Sequence, residues 1–203
     1  MDRLIEGYRR FRAFRWPYLR DLFVRLAAAG QKPKALVIAC SDSRADPQTV
    51  FDAVPGELFV VRNVAALVPP YSPDKGYHGT SAAIEFAVQE LGVTDIVVMG
   101  HARCSGVAAL VSGAPKSCPD FVESWTEIAA EARQRALKGH DGPEELQRRC
   151  EHEALRTSLS NLMTFPWVRE KVATGALTIH GCHFDIANGE LHQVEHGVVA
   201  KIR

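Results

Sequence analysis

Two short apolar runs, each stopping abruptly on a cluster of reactive side chains, constrain the fold more than any other feature of the chain. The first, Ala35-Leu36-Val37-Ile38-Ala39, follows Pro33 and ends on Cys40-Ser41-Asp42-Ser43-Arg44. The second, Asp95-Ile96-Val97-Val98-Met99-Gly100, ends on His101-Ala102-Arg103-Cys104. Unbroken apolarity over so few residues is the pattern of a strand covered on both faces, as in parallel sheets. Ligands of open α/β sheets gather outside the carboxyl ends of the strands. Two such strands side by side would therefore bring Cys40, His101 and Cys104 together.

Thiolate and imidazole both suit Zn²⁺, and catalytic zinc commonly takes three protein ligands with water at the fourth vertex. The His-x-x-Cys spacing places two donors on one turn, and Cys40 is the distant third, so one zinc ion per chain is expected. Two buried thiols and a core histidine would be the plain packing alternative. It leaves unexplained the charged neighbours Asp42 and Arg44, and Gly100, read here as a hinge. A free carboxylate beside a zinc thiolate could bind the metal itself. A bidentate bond from Arg44 would hold Asp42 back, a more specific role than an exposed ion pair.

Helical and strand patterns alternate along the chain. Asp46-Pro47 reads as an N-cap with a first-turn proline, Leu58 to Val61 as a strand, and Thr80 or Ser81 to Leu91 as a crossover helix stopped by Gly92. This alternation predicts an α/β fold, a mainly parallel β-sheet of about four strands flanked by helices. Asn188-Gly189 marks a hairpin that adds an antiparallel strand at the edge. A short helix from Gly106 to Val111 begins at the metal ligands, where its free N–H groups could meet an anion. Phe121 to Leu137 and Pro143 to Leu162 read as two helices separated by residues 138–142, with a further short one from Pro166. Residues 1–29 form an amphipathic helical arm, with a break expected at Trp16-Pro17. The expected organisation is a single domain: the arm, a core over 31–111 that carries the metal ligands, and C-terminal helices with the edge hairpin over 118–203.

Among the 203 residues, 24 Lys and Arg balance 24 Asp and Glu. No net field draws the chain to nucleic acid or an anionic membrane. No apolar run approaches the roughly 18 residues of a membrane span, and Asp2, Glu6 and Asp21 with no serine in the arm argue against a presequence, so a cytoplasmic protein is expected. Cys118, Cys150 and Cys182 read as free thiols. A second metal site at His180, Cys182 and His183 is disfavoured because strand alternation puts His183 on the opposite face.

These motifs resemble those of the β-class carbonic anhydrases, from about Gln31 to the end of the chain. The segments that carry the resemblance are Cys40 to Arg44 and Gly100 to Cys104, supported by Pro55 to Ala65. Leu67 to Tyr71, Ala82 to Val88 and Asn161 to Glu170 look closest to the plant-type branch. The resemblance implies reversible hydration of CO₂ to bicarbonate and a proton through a zinc-bound hydroxide. Asp42 would accept the hydroxide proton and orient the lone pair. A homodimer or homotetramer is also implied, the arm packing on a second subunit. Gln31 stands where relatives place an amide that donates to the substrate, and Phe59, Val64 and Phe86 would form the apolar walls. Phe86 replaces a tyrosine and Ser105 a glycine of the relatives. Val37, Arg62 and Phe184 retain only the arginine of an anion pocket known in a bicarbonate-inhibited branch, which argues against that regulation. Because two thiolates cancel the charge of Zn²⁺, a mildly alkaline pH preference is expected. The alternatives are hydrolysis of a sulfur analogue of CO₂, or a non-catalytic zinc or redox-sensing protein. A phosphatase reading fails, since Cys-x₃-Arg is too short for a phosphate cradle.

Overall fold

The computed structural model describes residues 1–138, 142–195 and 198–202. The arm comprises α1 (Asp2–Arg10) and α2 (Trp16–Ala29), joined without a break. The turn Phe11–Arg15 widens instead, so that the Trp16 N–H donates to the Phe11 carbonyl five residues back. A helix proline clashes with the carbonyl four residues before it, and a widened turn moves that carbonyl aside. Phe11, Trp16 and Phe23 cluster across the joint, with ring centroids 5.3 to 6.5 Å apart. Gly30, at φ 74°, ends the arm.

The remaining elements are β1 (Ala35–Cys40), α3 (Pro47–Val50), β2 (Leu58–Asn63), α4 (Gly79–Glu85), β3 (Asp95–His101) and α5 (Ser105–Ser112). After them come α6 (Val122–Thr126), α7 (Ala130–Ala136), α8 (Pro143–Leu162), α9 (Pro166–Ala173), β4 (Thr178–Asp185), β5 (Glu190–Glu195) and β6 (Val198–Lys201). One six-stranded sheet runs in the order β2-β1-β3-β4-β5-β6. The first four are mutually parallel, as the alternation predicted, and β5 and β6 are antiparallel. The edge strand is thus β6 rather than β5. Its four residues are all exposed, so no burial pattern marks them, and only their pairing with β5 makes them a strand.

Two expected helices change character midway. The crossover helix continues past α4 as a widened turn over Phe86–Glu90 and stops at Gly92, φ 64°. The helix expected over Phe121 to Leu137 tightens to a 3₁₀ turn at Glu127–Ala129. That turn, at three residues per repeat, keeps Thr126, Ala129 and Ala132 on one buried face. Of the linker expected over 138–142, residues 139–141 lie outside the described ones.

The sheet is covered unequally. On one face α8 packs into a core containing Leu36, Ile38, Ile84, Ile96, Val98, Leu162 and Phe165. A Cβ added at Gly100 would lie 3.2 Å from the Leu155 side chain, and one at Gly181 would lie 2.8 Å from Leu159. Gly100 is therefore the place where α8 approaches β3, not a hinge. It sits inside the strand, without a positive φ. On the other face Val37, Ala39, Met99 and Cys182 are buried, with Val50 and Phe51 packed against them. Beside them lies an open groove of about 420 Å³ lined by Val97, His180 and Leu191 among others. His180 and His183 do face opposite ways, bonding to Asp95 at 3.0 Å and Glu151 at 3.1 Å. No helix among the described residues is long and apolar enough to cross a membrane.

Candidate metal centre

The carboxyl ends of β1 and β3 carry Cys40 and His101, and the turn after β3 carries Cys104. Their exposures are 5%, 1% and 2%. One donor atom from each lies within 4.8 Å of the others, and this is the single such group of three or more among the described residues. The two sulfurs are 3.8 Å apart. That is the separation geometry requires of two sulfurs each about 2.3 Å from one tetrahedral zinc ion. The His101 Nδ1–H donates to the Ala102 carbonyl at 2.9 Å, which leaves the lone pair on Nε2. Nε2 is buried without a hydrogen-bond partner. A buried, unpaired imidazole nitrogen facing two sulfurs is costly as packing and well suited to a cation. The donor set therefore fits zinc.

The thiols are unequal. Hydrogen bonding from the Cys104 thiol, helped by His101, pulls Cys40 well below the ordinary thiol range against the effect of burial. The same bond, with burial, pushes Cys104 up, while the N–H groups of Gly106 and Val107 pull it the other way. The amino end of α5 thus serves the Cys104 sulfur rather than a separate anion.

Asp42 and Arg44 form the expected pair. Asp42 Oδ1 accepts from Arg44 N at 2.9 Å and Nε at 3.0 Å, and Oδ2 accepts from Nη2 at 2.8 Å. These bonds hold the Asp42 carboxyl well below the usual carboxylate range. Its Oδ2 lies 3.8 Å from His101 Nε2. Arg62, which the sequence offered only as the remnant of an anion pocket, buttresses the loop. Its Nε donates to the Cys40 carbonyl at 2.8 Å, Nη2 to the Asp42 carbonyl at 2.6 Å, and Nη1 to Asp46 at 3.2 Å. Asp46 in turn caps α3 through the Thr49 N–H at 3.0 Å. Sequence reasoning also passed over Gln147 and Glu151, which reach Cys104 from behind, and weighed His183 only as a disfavoured metal ligand, whereas it bonds Glu151. Nothing local in the sequence marks them.

The residues expected to meet the substrate divide into two groups. Val64 follows Asn63, which pairs with Cys40, and packs so close to α5 that a Cβ on Gly106 would lie 2.7 Å from it. Ser105 directly follows Cys104. Gln31, in contrast, is exposed ahead of the amino end of β1. Phe59 pairs with Leu36, four residues before Cys40 along β1, which is about 13 Å away at strand rise. Phe86 is 47% exposed, and its ring lies 5.9 Å from that of Phe59. Within one chain these three do not reach the metal ligands.

Residues 35–191 match the family model described as carbonic anhydrase. The chain is 40% identical over 199 residues to "Beta carbonic anhydrase 6, mitochondrial" of Arabidopsis thaliana, covering 95% of this chain and 68% of the relative. With "Beta carbonic anhydrase 3" of the same plant it shares 36% identity over 194 residues, 93% of this chain and 74% of that one. Among solved structures it superposes on the β-carbonic anhydrase CcaA with a TM-score of 0.89 at 32% identity, covering 100% of this chain and 92% of the other. A tetrameric β-carbonic anhydrase of Sordaria macrospora gives a TM-score of 0.83 at 29% identity, covering 97% and 98%. With its Cys₂His donor set and this sheet order, the chain belongs to the carbonic anhydrase family, in the β class.

Proposed function

We propose that Cys40, His101 and Cys104 hold the zinc ion of a carbonic anhydrase that interconverts CO₂ with bicarbonate and a proton, and that Asp42 and Arg44 work beside it. The observation that carries this reading is the unpartnered, buried His101 Nε2 facing two sulfurs 3.8 Å apart. Zinc held there supplies Lewis acidity, which makes water a nucleophile near neutral pH. Arg44 engages both Asp42 oxygens and so keeps the carboxylate from turning onto the metal. Oδ2 then stands beside the donors, where it can accept the proton of a nucleophilic water and aim its lone pair at CO₂. Val64 supplies an apolar wall on the β2 side, and Ser105 places a hydroxyl at the rim.

The protein forms a homo-oligomer, a homodimer or homotetramer, in which each site draws on two chains. Gln31, Phe59 and Phe86 lie too far from the metal ligands of their own chain, and Phe86, exposed beside the half-buried Phe59, is the kind of apolar surface a second copy covers. These three then complete the pocket of a neighbouring subunit. We place the protein in the cytoplasm, because the arm mixes acids with its arginines and lacks serine.

Stopped-flow CO₂ hydration with zinc quantified in parallel tests the assignment. Cys40→Ala, His101→Ala and Cys104→Ala should each lose stoichiometric zinc together with hydration. Full metal retention by all three variants would overturn the ligand set.

A further inference from the structure

The three donors are not held alike. Cys40 and His101 belong to strands whose ladders fix them, and the next residues continue those ladders, Ser41 N–H to the Asn63 carbonyl at 2.8 Å and Ala102 N–H to Phe184 at 2.9 Å. Cys104 lies beyond the end of β3, after Arg103 at φ 54°. The left-handed conformation costs a side-chain-bearing residue roughly 1–2 kcal/mol. A turn that is both disfavoured and outside the ladder needs an external hold to keep its sulfur in place.

That hold comes from α8. Glu151, 4% exposed, accepts the Cys104 N–H on Oε1 at 3.1 Å. Gln147, one helical turn earlier, donates to the same Oε1 at 3.1 Å and to the Cys104 carbonyl at 3.4 Å. On the far side, His183 Nε2 meets Glu151 Oε2 at 3.1 Å, and His183 is itself 5% exposed and edge-packed on His152 at 4.7 Å. The Cys104 N–H therefore ends on α8, its carbonyl is shared between Gln147 and the Ala108 N–H of α5 at 2.9 Å, and both oxygens of Glu151 are engaged. A buried carboxylate loses several kcal/mol of hydration that only a full set of partners offsets. Leucine at this point of a helix interior would pack more cheaply, but it would leave the Cys104 N–H without an acceptor.

We propose that Glu151, locked between Gln147 and His183, is the positioning residue that sets Cys104 as a metal ligand. The proposal rests on the reading of Cys104 as a ligand. Partners behind a ligand of this kind are typically worth 10- to 100-fold in metal affinity, because they fix where the donor atom points.

Chelator competition for zinc, and the thiolate-to-metal charge-transfer band of the cobalt(II)-loaded protein, test it together. Glu151→Ala should weaken zinc binding roughly 10- to 100-fold, and its cobalt band should fall towards that of Cys104→Ala. Glu151→Gln keeps an oxygen for the Cys104 N–H, and His183 can present a lone pair to the new amide by changing tautomer, so affinity and band should return close to the parent. A merely structural glutamate would lower the melting temperature without moving the band. Should Glu151→Ala not fold, Gln147→Leu removes the carbonyl bond from the half-buried side and should produce a smaller weakening of the same kind. Parental zinc affinity and cobalt spectrum in Glu151→Ala, or in Gln147→Leu where Glu151→Ala does not fold, overturn the proposal. If Cys104→Ala itself keeps both, the ligand assignment fails instead, whatever Glu151 does.

Discussion

The two ends of the parallel strands are built on opposite principles. At the carboxyl end, Cys40, His101, Cys104, Glu151 and His183 are all buried, and among their side-chain nitrogens and oxygens that are shut off from solvent only His101 Nε2 lacks a partner. At the amino end, Gln31 and Phe86 are exposed, and the half-buried Phe59 packs on the core with the Phe86 ring beside it. One end is complete in a single chain apart from a cation. The other presents apolar surface that one chain leaves uncovered. A site that draws on both ends must therefore be judged in the oligomer, whereas metal binding can be judged on the chain itself.

The sharpest way to separate chemistry from metal binding at the carboxyl end is Arg44→Ala. Loss of the guanidinium frees both Asp42 oxygens, one of which already lies 3.8 Å from His101 Nε2. Asp42 should then turn onto the metal as a further ligand. Zinc content should hold, while hydration falls by roughly 100-fold or more. X-ray absorption at the zinc edge checks the added oxygen, and a variant that is fully active would remove Arg44 from the mechanism.

A mixed oligomer breaks or sharpens the comparison itself. Chains carrying Cys104→Ala keep the amino end, and chains carrying Gln31→Ala keep the carboxyl end. If the ends combine across an isologous interface, co-refolding equal amounts should restore roughly a quarter of the parent rate, because half of randomly paired dimers then contain one complete site. Hydration no greater than the sum of the two parents' residual rates would confine Gln31 to its own chain or to no role.

The carboxyl end was legible in the sequence because its parts are adjacent there. Cys40, Asp42 and Arg44 follow one apolar run, His101 and Cys104 follow another, and parallel pairing of the two runs suffices to bring them together. The hairpin at Asn188-Gly189 was legible for the same local reason. What escaped notice depends on contacts distant in the chain. Glu151 lies 47 residues after Cys104, in a stretch of glutamates and arginines that could equally be a solvated helix face. Gly100 looks like a hinge until α8 is laid across it. The β6 strand has no pattern of its own, and the widened turn before Pro17 solves a steric conflict that the sequence could only register as a break.

The smallest effect concerns acid, and it again divides the two ends. Burial, and then the neighbouring His183, depress His152 from 6.5 to about 3, with Arg156, Arg148 and His192 adding to the effect. The unfolded chain thus binds a proton between those values that the folded chain refuses, so stability rises with pH across that window and is lost as pH falls through 6.5 towards 3. His152→Phe keeps a ring against His183 and removes the proton. It should leave stability at pH 7.5 close to the parent and exceed the parent by up to about 2 kcal/mol at pH 5. Loss of metal in acid is common to both proteins and cancels in the difference. At the amino end the sign is the same, but the cause is a favourable bond rather than burial. The His180 hydrogen bond lowers Asp95, so this pair contributes stability above the unfolded aspartate range and loses it below. With side chains 32% and 40% exposed, the pair is largely screened by solvent. His180→Phe should accordingly cost a little stability at both pH 7.5 and pH 5, a loss that shrinks only as pH falls through the aspartate range and that is smaller than the gain from His152→Phe at pH 5. Denaturant midpoints measured at both pH values decide the matter, and parallel curves for parent and His152→Phe would mean that the buried histidine is not the acid-sensitive element of the carboxyl end.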